Sequence, residues 1–429
     1  MSLPPMPSCA GSRLMIRTRI ISAKSLIAGA IVLGCFVSRA AASPALVDLL
    51  HQFSGQFDGG SPNAVIIDGE GNLYGTMSVG GGGNLAQGAV FELTPSVTTA
   101  GAWNETILHV FEGGADGATP YAGLVRDSHG NLYGTTSFGG GGTGCRNAGC
   151  GTVFELRPTS HGWRESVLYA FTGGSDGSMP SASLILDKAG NLYGTTEWGG
   201  DFSCGTVFRL TPPASPATTW TESVLHTFTH DNGDGNQPDG PLLRDAAGNL
   251  YGTTYWGGAG WGTVFKVAPD GTETILYAFK GTTDGYRPQT RLAEDKAGNI
   301  YGTTTGGGWL AGCSGNGCGT IFKLAPDGME TTLYQFGASD KRADGAGPTG
   351  DLILDRDGTL YGATQGSTNP DGGGAIFKFS PDGTETVLYA FPSSSQVALI
   401  SGVTSKGGSF YGSGSGGVDR GGLVFKLTP

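Results

Sequence analysis

The pentapeptide Leu-Tyr-Gly-Thr-Thr, or a close variant of it, occurs seven times in this chain. Its tyrosines are Tyr74, Tyr133, Tyr193, Tyr251, Tyr301, Tyr361 and Tyr411, spaced 50 to 60 residues apart. Self-similarity at that period means one supersecondary unit copied in tandem, which constrains the architecture more than any single residue does. With 79 glycines and 22 prolines in 429 residues, an aperiodic chain would read as low complexity. The period instead assigns these residues to turns and loops. Long helical patterns are absent, and short strands at regular spacing argue for an all-β fold.

Residues 181–228 make one full period. Strands are expected at Ala182–Asp187, Leu192–Thr196, Gly205–Leu210 and Glu222–Phe228, here called A to D. The A–B turn is Lys188-Ala189-Gly190-Asn191, and a glycine-rich B–C loop runs from Trp198 to Ser203. Each strand is short, apolar or β-branched, and bounded by turn residues. Four antiparallel strands in about 50 residues describe a β-propeller blade, with A innermost. A parallel solenoid is the alternative, but its repeats are shorter and lack tight hairpins.

The chain ends argue for a closed ring. The first strand, Val47–Phe53, matches strand D of the repeat and has no A, B or C before it. The last repeat has A near Leu399–Thr404, B at Phe410–Ser413 and C at Leu423–Leu427, but no D. Supplying the missing strand from the N-terminus gives seven four-stranded blades and removes an exposed sheet edge.

Residues 1–42 read as a secretory signal peptide ahead of a single propeller domain, 43–429. Arg13, Arg17, Arg19 and Lys24 form a basic region, Leu26–Val37 an apolar run, and Ala40-Ala41-Ala42 a cleavage site. The run is shorter than the roughly 20 residues a membrane span needs. Met15 is an alternative start. Val32-Leu33-Gly34-Cys35 loosely matches a lipoprotein acylation site, but Leu33 and Phe36-Val37 depart from that pattern, so cleavage after Ala42 is expected. Losing these residues removes five basic side chains and no acidic ones, taking the net charge from −11 to −16. Nucleic acid, which needs clustered Lys and Arg, is excluded as a partner, as is an anionic membrane surface. The product is expected to be a secreted or periplasmic monomer.

Several segments recur in order: Gly-Asn-Leu-Tyr-Gly-Thr-Thr, then Gly-Gly, then Gly-Thr-Val-Phe-Lys-Leu-x-Pro-Asp-Gly-Thr-Glu-Thr, then Leu-Tyr-Ala-Phe and Asp-Gly. They are fullest at residues 262–279 and 374–391. This pattern resembles the GloVer tandem repeat of secreted bacterial proteins over nearly all of residues 47–429. The resemblance implies an extracytoplasmic repeat array. It brings no activity and no catalytic residues.

In such a blade the A–B and C–D turns lie on one face, and the B–C loops and D–A links on the other. The A–B turns are short and uniform, whereas the B–C loops and D–A links vary, so binding is expected on the second face. The Asp of Asp-x-x-Gly-Asn recurs as Asp68, Asp127, Asp187, Asp245, Asp295 and Asp355, and reads as a turn cap. A second Asp-Gly pair recurs in the D–A links at Asp58, Asp116, Asp176, Asp234, Asp284 and Asp344. It is either a turn signal or an acidic ring for cations. The stretch holding Asp231 and Asp234 has a calcium-loop flavour without the EF-hand's full ligand set.

His51, His109 and His226 occupy a D-strand position that is tyrosine elsewhere, which indicates packing. No metal-ligand spacing or Ser-His-Asp signature is visible. Trp103, Trp163 and Trp220 fall before D strands, in C–D loops, as packing residues. Phe138, Trp198 and Trp256 follow Gly-Thr-Thr-x in three consecutive blades, with Trp261 and Trp309 in neighbouring B–C loops. These aromatics suit sugar stacking or protein contact, or else cover their own blades. Arg126, Arg244, Arg291 and Glu294 are candidates to line a channel. Disulfides are expected for Cys145–Cys150 and Cys313–Cys318, leaving Cys204 as a free thiol. The functional expectation is a non-catalytic module binding extracellular polysaccharide or protein. The alternative is a propeller enzyme (lyase, lactonase or hydrolase) working at the channel mouth. No cofactor is required, apart from the calcium reading of Asp231 and Asp234.

Overall fold

The computed structural model describes residues 46–429 except 56–57, 81–86, 100, 142–144, 146–147, 215–216, 230, 232, 311–312, 339–343, 367–371, 393–396 and 417–420. The expected signal peptide and Cys35 lie outside the described residues. The described residues contain no α-helix, and a 3-10 turn spans Cys313–Gly315.

Seven four-stranded antiparallel blades form a β-propeller. In blade 3, strand A is Ile185–Leu186, B is Leu192–Thr196, C is Thr206–Thr211 and D is Thr221–Thr227, hydrogen-bonded in that order. The last blade takes its A, B and C strands from Ala398–Lys406, Ser409–Ser415 and Leu423–Thr428. Its D strand is Leu46–Gln52, from the other end of the chain, with Val47 opposite Leu427.

Strand A of blade 3 is shorter than the expected Ala182–Asp187. Its preceding carbonyls turn to the neighbouring blade instead of their own ladder. Thr135 of blade 2 donates its hydroxyl to the Ala182 carbonyl at 3.5 Å, and Thr76 of blade 1 donates to the Ala122 carbonyl at 2.7 Å. Trp103 and Trp163 also differ from expectation. They lie inside strands, Trp103–Val110 and Gly162–Ala170, because the C–D ladder reaches them, with Pro95 opposite Trp103 and Pro158 opposite Trp163. Trp163 packs on Tyr74 and Trp220 on Tyr133, each joining two blades.

The repeat motif is coupled to the core. The glycine of Leu-Tyr-Gly-Thr-Thr faces the Phe of strand C, as Gly194 faces Phe208. A Cβ at Gly194 would meet the Phe208 ring at 2.7 Å, and the same conflict holds for Gly75 with Phe91 and Gly252 with Phe265. The C-strand Phe thus lies flat across its own blade and meets the D-strand Phe of the previous one edge-on. Seven such pairs encircle the molecule: Phe53–Phe91, Phe111–Phe154, Phe171–Phe208, Phe228–Phe265, Phe279–Phe322, Phe336–Phe377 and Phe391–Phe425. Their centroids are 5.0 to 5.2 Å apart. Beyond their buried area, edge-on pairs of this kind contribute about 0.5–1.5 kcal/mol each.

Candidate functional site

The A–B face is built from one repeated turn. Asp187 accepts hydrogen bonds from the backbone of Ala189 and Asn191, from the Asn191 side chain and from the Tyr193 hydroxyl, at 2.9 to 3.0 Å. Burial opposes ionisation of Asp187, but these bonds outweigh it and hold its pKa below the usual value. Asp68, Asp127, Asp245 and Asp295 are bonded alike. Their acceptor capacity is spent on the turn, which explains the motif without a catalyst.

On the opposite face five D–A links carry a non-glycine residue before proline in the left-handed region: Ser61, Thr119, Met179, Gln237 and Arg287, with φ of 52° to 58°. Non-glycine residues seldom adopt this conformation. Here it lets one residue join two blades. The Arg287 amide donates to the Trp261 carbonyl of the preceding blade, and its carbonyl accepts from Thr305 of its own. Met179 and Gln237 do the same. Because several blades share this geometry, it belongs to the scaffold, and the side chains it displays vary.

The aromatic residues expected on this face are placed by backbone bridges. Phe138 pairs with Ala118, Trp198 with Ser178 and Trp256 with Asn236. Trp198, Trp261 and Trp309 are 40%, 39% and 42% exposed, while Phe138 and Trp256 are half-buried. No ring contact joins Phe138, Trp198 and Trp309 to the others among the described residues. Blades 4 and 5 do build one cluster. Tyr255 packs on Trp256 at 5.0 Å and Trp261 on Tyr286 at 5.5 Å. The Arg287 guanidinium lies 4.5 Å from the Trp256 ring centroid, 4.8 Å from Tyr255 and 5.5 Å from Tyr286. It has no carboxylate within ion-pair distance among the described residues.

Tyr255, Tyr286 and Arg287 did not stand out in the sequence. Blade 5 has Gly306 where blades 2 to 4 have Phe138, Trp198 and Trp256. Gly306 still forms the bridge, with Tyr286, and a Cβ there would collide with the Tyr286 ring. The ring is therefore supplied from the D–A link in place of the B–C loop. Position-by-position comparison of the links, Ala118, Ser178, Asn236 and Tyr286, carries that signal.

A cavity of about 850 Å³ runs between the innermost strands, with all seven blades contributing. Arg126, Arg244 and Arg291 line it, whereas Glu294 is not among the lining residues. Two of these arginines pair across blades, Arg291 with Asp351 at 3.3 Å and Arg244 with Asp187 at 4.0 Å. Arg126 and Arg244 also cover Tyr74 and Tyr193 of the preceding blades. Beyond these, Asp239 accepts from Ser181 at 3.1 Å and from Gln289 at 2.5 Å, gathering three blades. Glu197 lies within reach of the Asp239 charge. Burial first, then Asp239, pushes the Glu197 carboxyl up to about 7.

Disulfides join Cys145 to Cys150 and Cys313 to Cys318, and Cys204 is a buried free thiol. Asp234 accepts from the Thr229 amide and hydroxyl and from the Gly235 amide. The groups converging on it are His226 and Glu273, while Asp231 is exposed and outside that set. No ligand spacing in the sequence marks this convergence, since the three residues come from separate segments.

The Gloeobacter/Verrucomicrobia repeat model matches residues 29–208 and 181–425. The chain belongs to the Gloeobacter/Verrucomicrobia repeat family. No curated protein sequence matches it. Among solved structures, this family member is similar to a protein described as the extracellular domain of the one-component system BT4673 from B. thetaiotaomicron. The identity is 11% and the TM-score 0.52, covering 89% of this chain and 39% of that one. It therefore spans about two fifths of that relative's length. A protein described as a gluconolactonase matches with 15% identity and a TM-score of 0.37, over 65% of this chain and 84% of that one. These similarities concern the fold. Two disulfides in the repeat-family propeller fit an oxidising compartment. No helix among the described residues is long and apolar enough to cross a membrane.

Proposed function

We propose that this chain is an extracytoplasmic, non-catalytic binding propeller that takes carbohydrate on its B–C and D–A face. The observation that carries this reading is the cluster of Trp256, Trp261, Tyr286 and Arg287, contributed by two adjacent blades on the face with variable loops. Flat rings stack on sugar faces, and a guanidinium held by rings alone keeps donors for hydroxyl or carboxylate oxygens. Trp198 and Phe138 extend the surface into blades 3 and 2, and Trp309 flanks it in blade 5. The basic and apolar pattern of residues 1–42 and the two disulfides support export to a secreted or periplasmic location. The alternative occupant of the face is an extracellular protein. The extracellular domain with a TM-score of 0.52 is a precedent for such a propeller outside the cytoplasm.

The test is a glycan array and calorimetric titration with the purified chain and with Trp261→Ala, Tyr286→Ala and Arg287→Ala. Glycan binding that is lost in variants with unchanged melting temperature supports the proposal. No glycan bound by the wild type sinks it.

A specific observation favours one second reading, hydrolytic or lyase chemistry, at carboxyl groups that stand outside the lining of the central cavity. Glu197, with its pKa pushed up to about 7, neighbours Asp239, which Ser181 and Gln289 hold in place. A carboxyl whose pKa burial raises toward neutrality can serve as a general acid. Turnover of a lactone or glycoside panel that disappears in Glu197→Gln would establish it. Absence of turnover by the wild type across the panel removes it.

A further inference from the structure

Every D–A link with an Asp-Gly pair meets two D strands, that of the preceding blade and that of the following one. In three junctions the preceding strand presents tyrosine, which donates its hydroxyl to the link aspartate. The pairs are Tyr169–Asp176 at 3.1 Å, Tyr277–Asp284 at 3.0 Å and Tyr334–Asp344 at 2.9 Å. In the other three the residue is His51, His109 or His226. The imidazole does not reproduce the tyrosine bond. His109 and His226 stop 3.5 and 3.7 Å from their aspartates, and His51 stops 3.6 Å from Glu105. The Nε2 atoms of all three histidines are buried without a hydrogen-bond partner, as are Oε1 of Glu105 and of Glu273.

In two of these junctions the three side chains converge. One ligand atom each from His51, Asp58 and Glu105 lies within 4.8 Å of the others, and likewise for His226, Asp234 and Glu273. We propose that these two clusters are binding sites for a divalent first-row transition cation, with zinc the ion that fits best. One imidazole and two carboxylates supply three ligands and two negative charges, matching the ion's charge and leaving a fourth position for water. Zinc accepts mixed nitrogen and oxygen ligands at about 2.0–2.2 Å, so the side chains need to close by rotamer adjustment only. Calcium takes six to eight oxygen ligands and has no use for the imidazole. Two carboxylates facing one another in a half-buried junction repel, and a cation reverses that term.

The location gives such an ion a role. His51 lies on the N-terminal strand that completes the last blade, while Glu105 lies in the D strand of blade 1. An ion there clasps the closing strand to the blade beside it. The second site joins blade 3 to blade 4 in the same way. Tyrosine junctions are closed by a direct hydrogen bond and need no ion.

The tyrosine junctions also supply the control. The tag-free chain, stripped with EDTA, is titrated with zinc and with calcium by calorimetry, and its metal content is counted by mass spectrometry. Two zinc ions per chain, a zinc-dependent rise in melting temperature and no comparable effect of calcium are expected. His51→Tyr and His226→Tyr each lower the stoichiometry by one, and His109→Tyr leaves it at two. Should a tyrosine variant fail to fold, Glu105→Gln and Glu273→Gln test the same ligand sets with nearly unchanged volume, and each weakens zinc at least tenfold. Absence of zinc binding by the wild type overturns the proposal. So does undiminished binding by the His51→Tyr/His226→Tyr double variant or by the glutamine pair, or a preference for calcium.

Discussion

Phe53 packs edge-on against Phe91, with ring centroids 5.1 Å apart. Phe53 follows the strand that completes the last blade, and Phe91 lies in strand C of the first. The ring therefore closes through the same contact that joins every other pair of blades. Phe53 is fully buried, so Phe53→Ala should cost about 3–5 kcal/mol. Deleting residues 43–55 should do more, by exposing the edge of Leu423–Thr428. Chemical denaturation and light scattering check both. A truncated chain that stays monomeric with an unchanged melting temperature would refute closure by this strand.

Gly194 and Phe208 give a second prediction. The glycine has ordinary backbone geometry, so its requirement is steric. Gly194→Ala should destabilise by about 1–3 kcal/mol through overpacking against the ring. Combining it with Phe208→Leu should recover part of that loss, because the smaller side chain vacates the contested space. A double-mutant cycle with no coupling would mean the glycine is needed for another reason.

The cysteines can be tested without changing the fold. Each disulfide spans a sequence separation of 5, a loop worth about 2 kcal/mol in the chain-entropy model. Alkylation of the native chain should leave Cys204 slow to react, since it is buried and its pKa is raised by burial and by Asp234 and Asp231. Denaturation without reductant should expose one thiol only among Cys145, Cys150, Cys204, Cys313 and Cys318. Peptide mapping that links Cys204 to another cysteine would overturn the assignment.

Much of the fold was legible in the sequence because each repeat states it independently. Leu192–Thr196 is bounded by a turn that Asp187 fastens and by a glycine loop, and its observed limits match those expected. The inner strands were less legible. Their shortening depends on hydroxyls of the neighbouring blade, such as Thr135, and no local pattern records that partner. The aromatic cluster was half visible. Trp256 and Trp261 stand out by type, but Tyr255, Tyr286 and Arg287 join them only through the fold. The histidine and carboxylate clusters were invisible for the same reason. Glu105 is 54 residues from His51 in the chain and meets it across a blade junction.

The pH dependence of stability follows from two sets of carboxyl groups with opposite shifts. Glu222 lies near the start of strand D of blade 3, within reach of the charge of Asp176 in the preceding link, which is held by the Tyr169 hydroxyl. Burial first, then the Asp176 charge, pushes Glu222 up to about 7. A carboxyl whose folded pKa exceeds its unfolded value of about 4.3 binds its proton more tightly in the folded state. Glu222 therefore costs stability as the pH rises from about 4.3 through 7, and the cost levels off above that range. Asp187 and its equivalents shift the other way, and their contribution is lost as the pH falls below about 4. The melting temperature should thus peak near pH 5, decline gently toward pH 8 and fall steeply under acid. Glu222→Gln should flatten the decline between pH 5 and 8 and raise stability at pH 8, because the amide carries no charge to bury. Asp187→Asn should reduce stability at neutral pH and weaken the acid limb. Thermal melts of the three proteins from pH 3.5 to 8.5 decide the matter, and a Glu222→Gln profile parallel to the wild type would show that this carboxyl ionises normally in the folded chain.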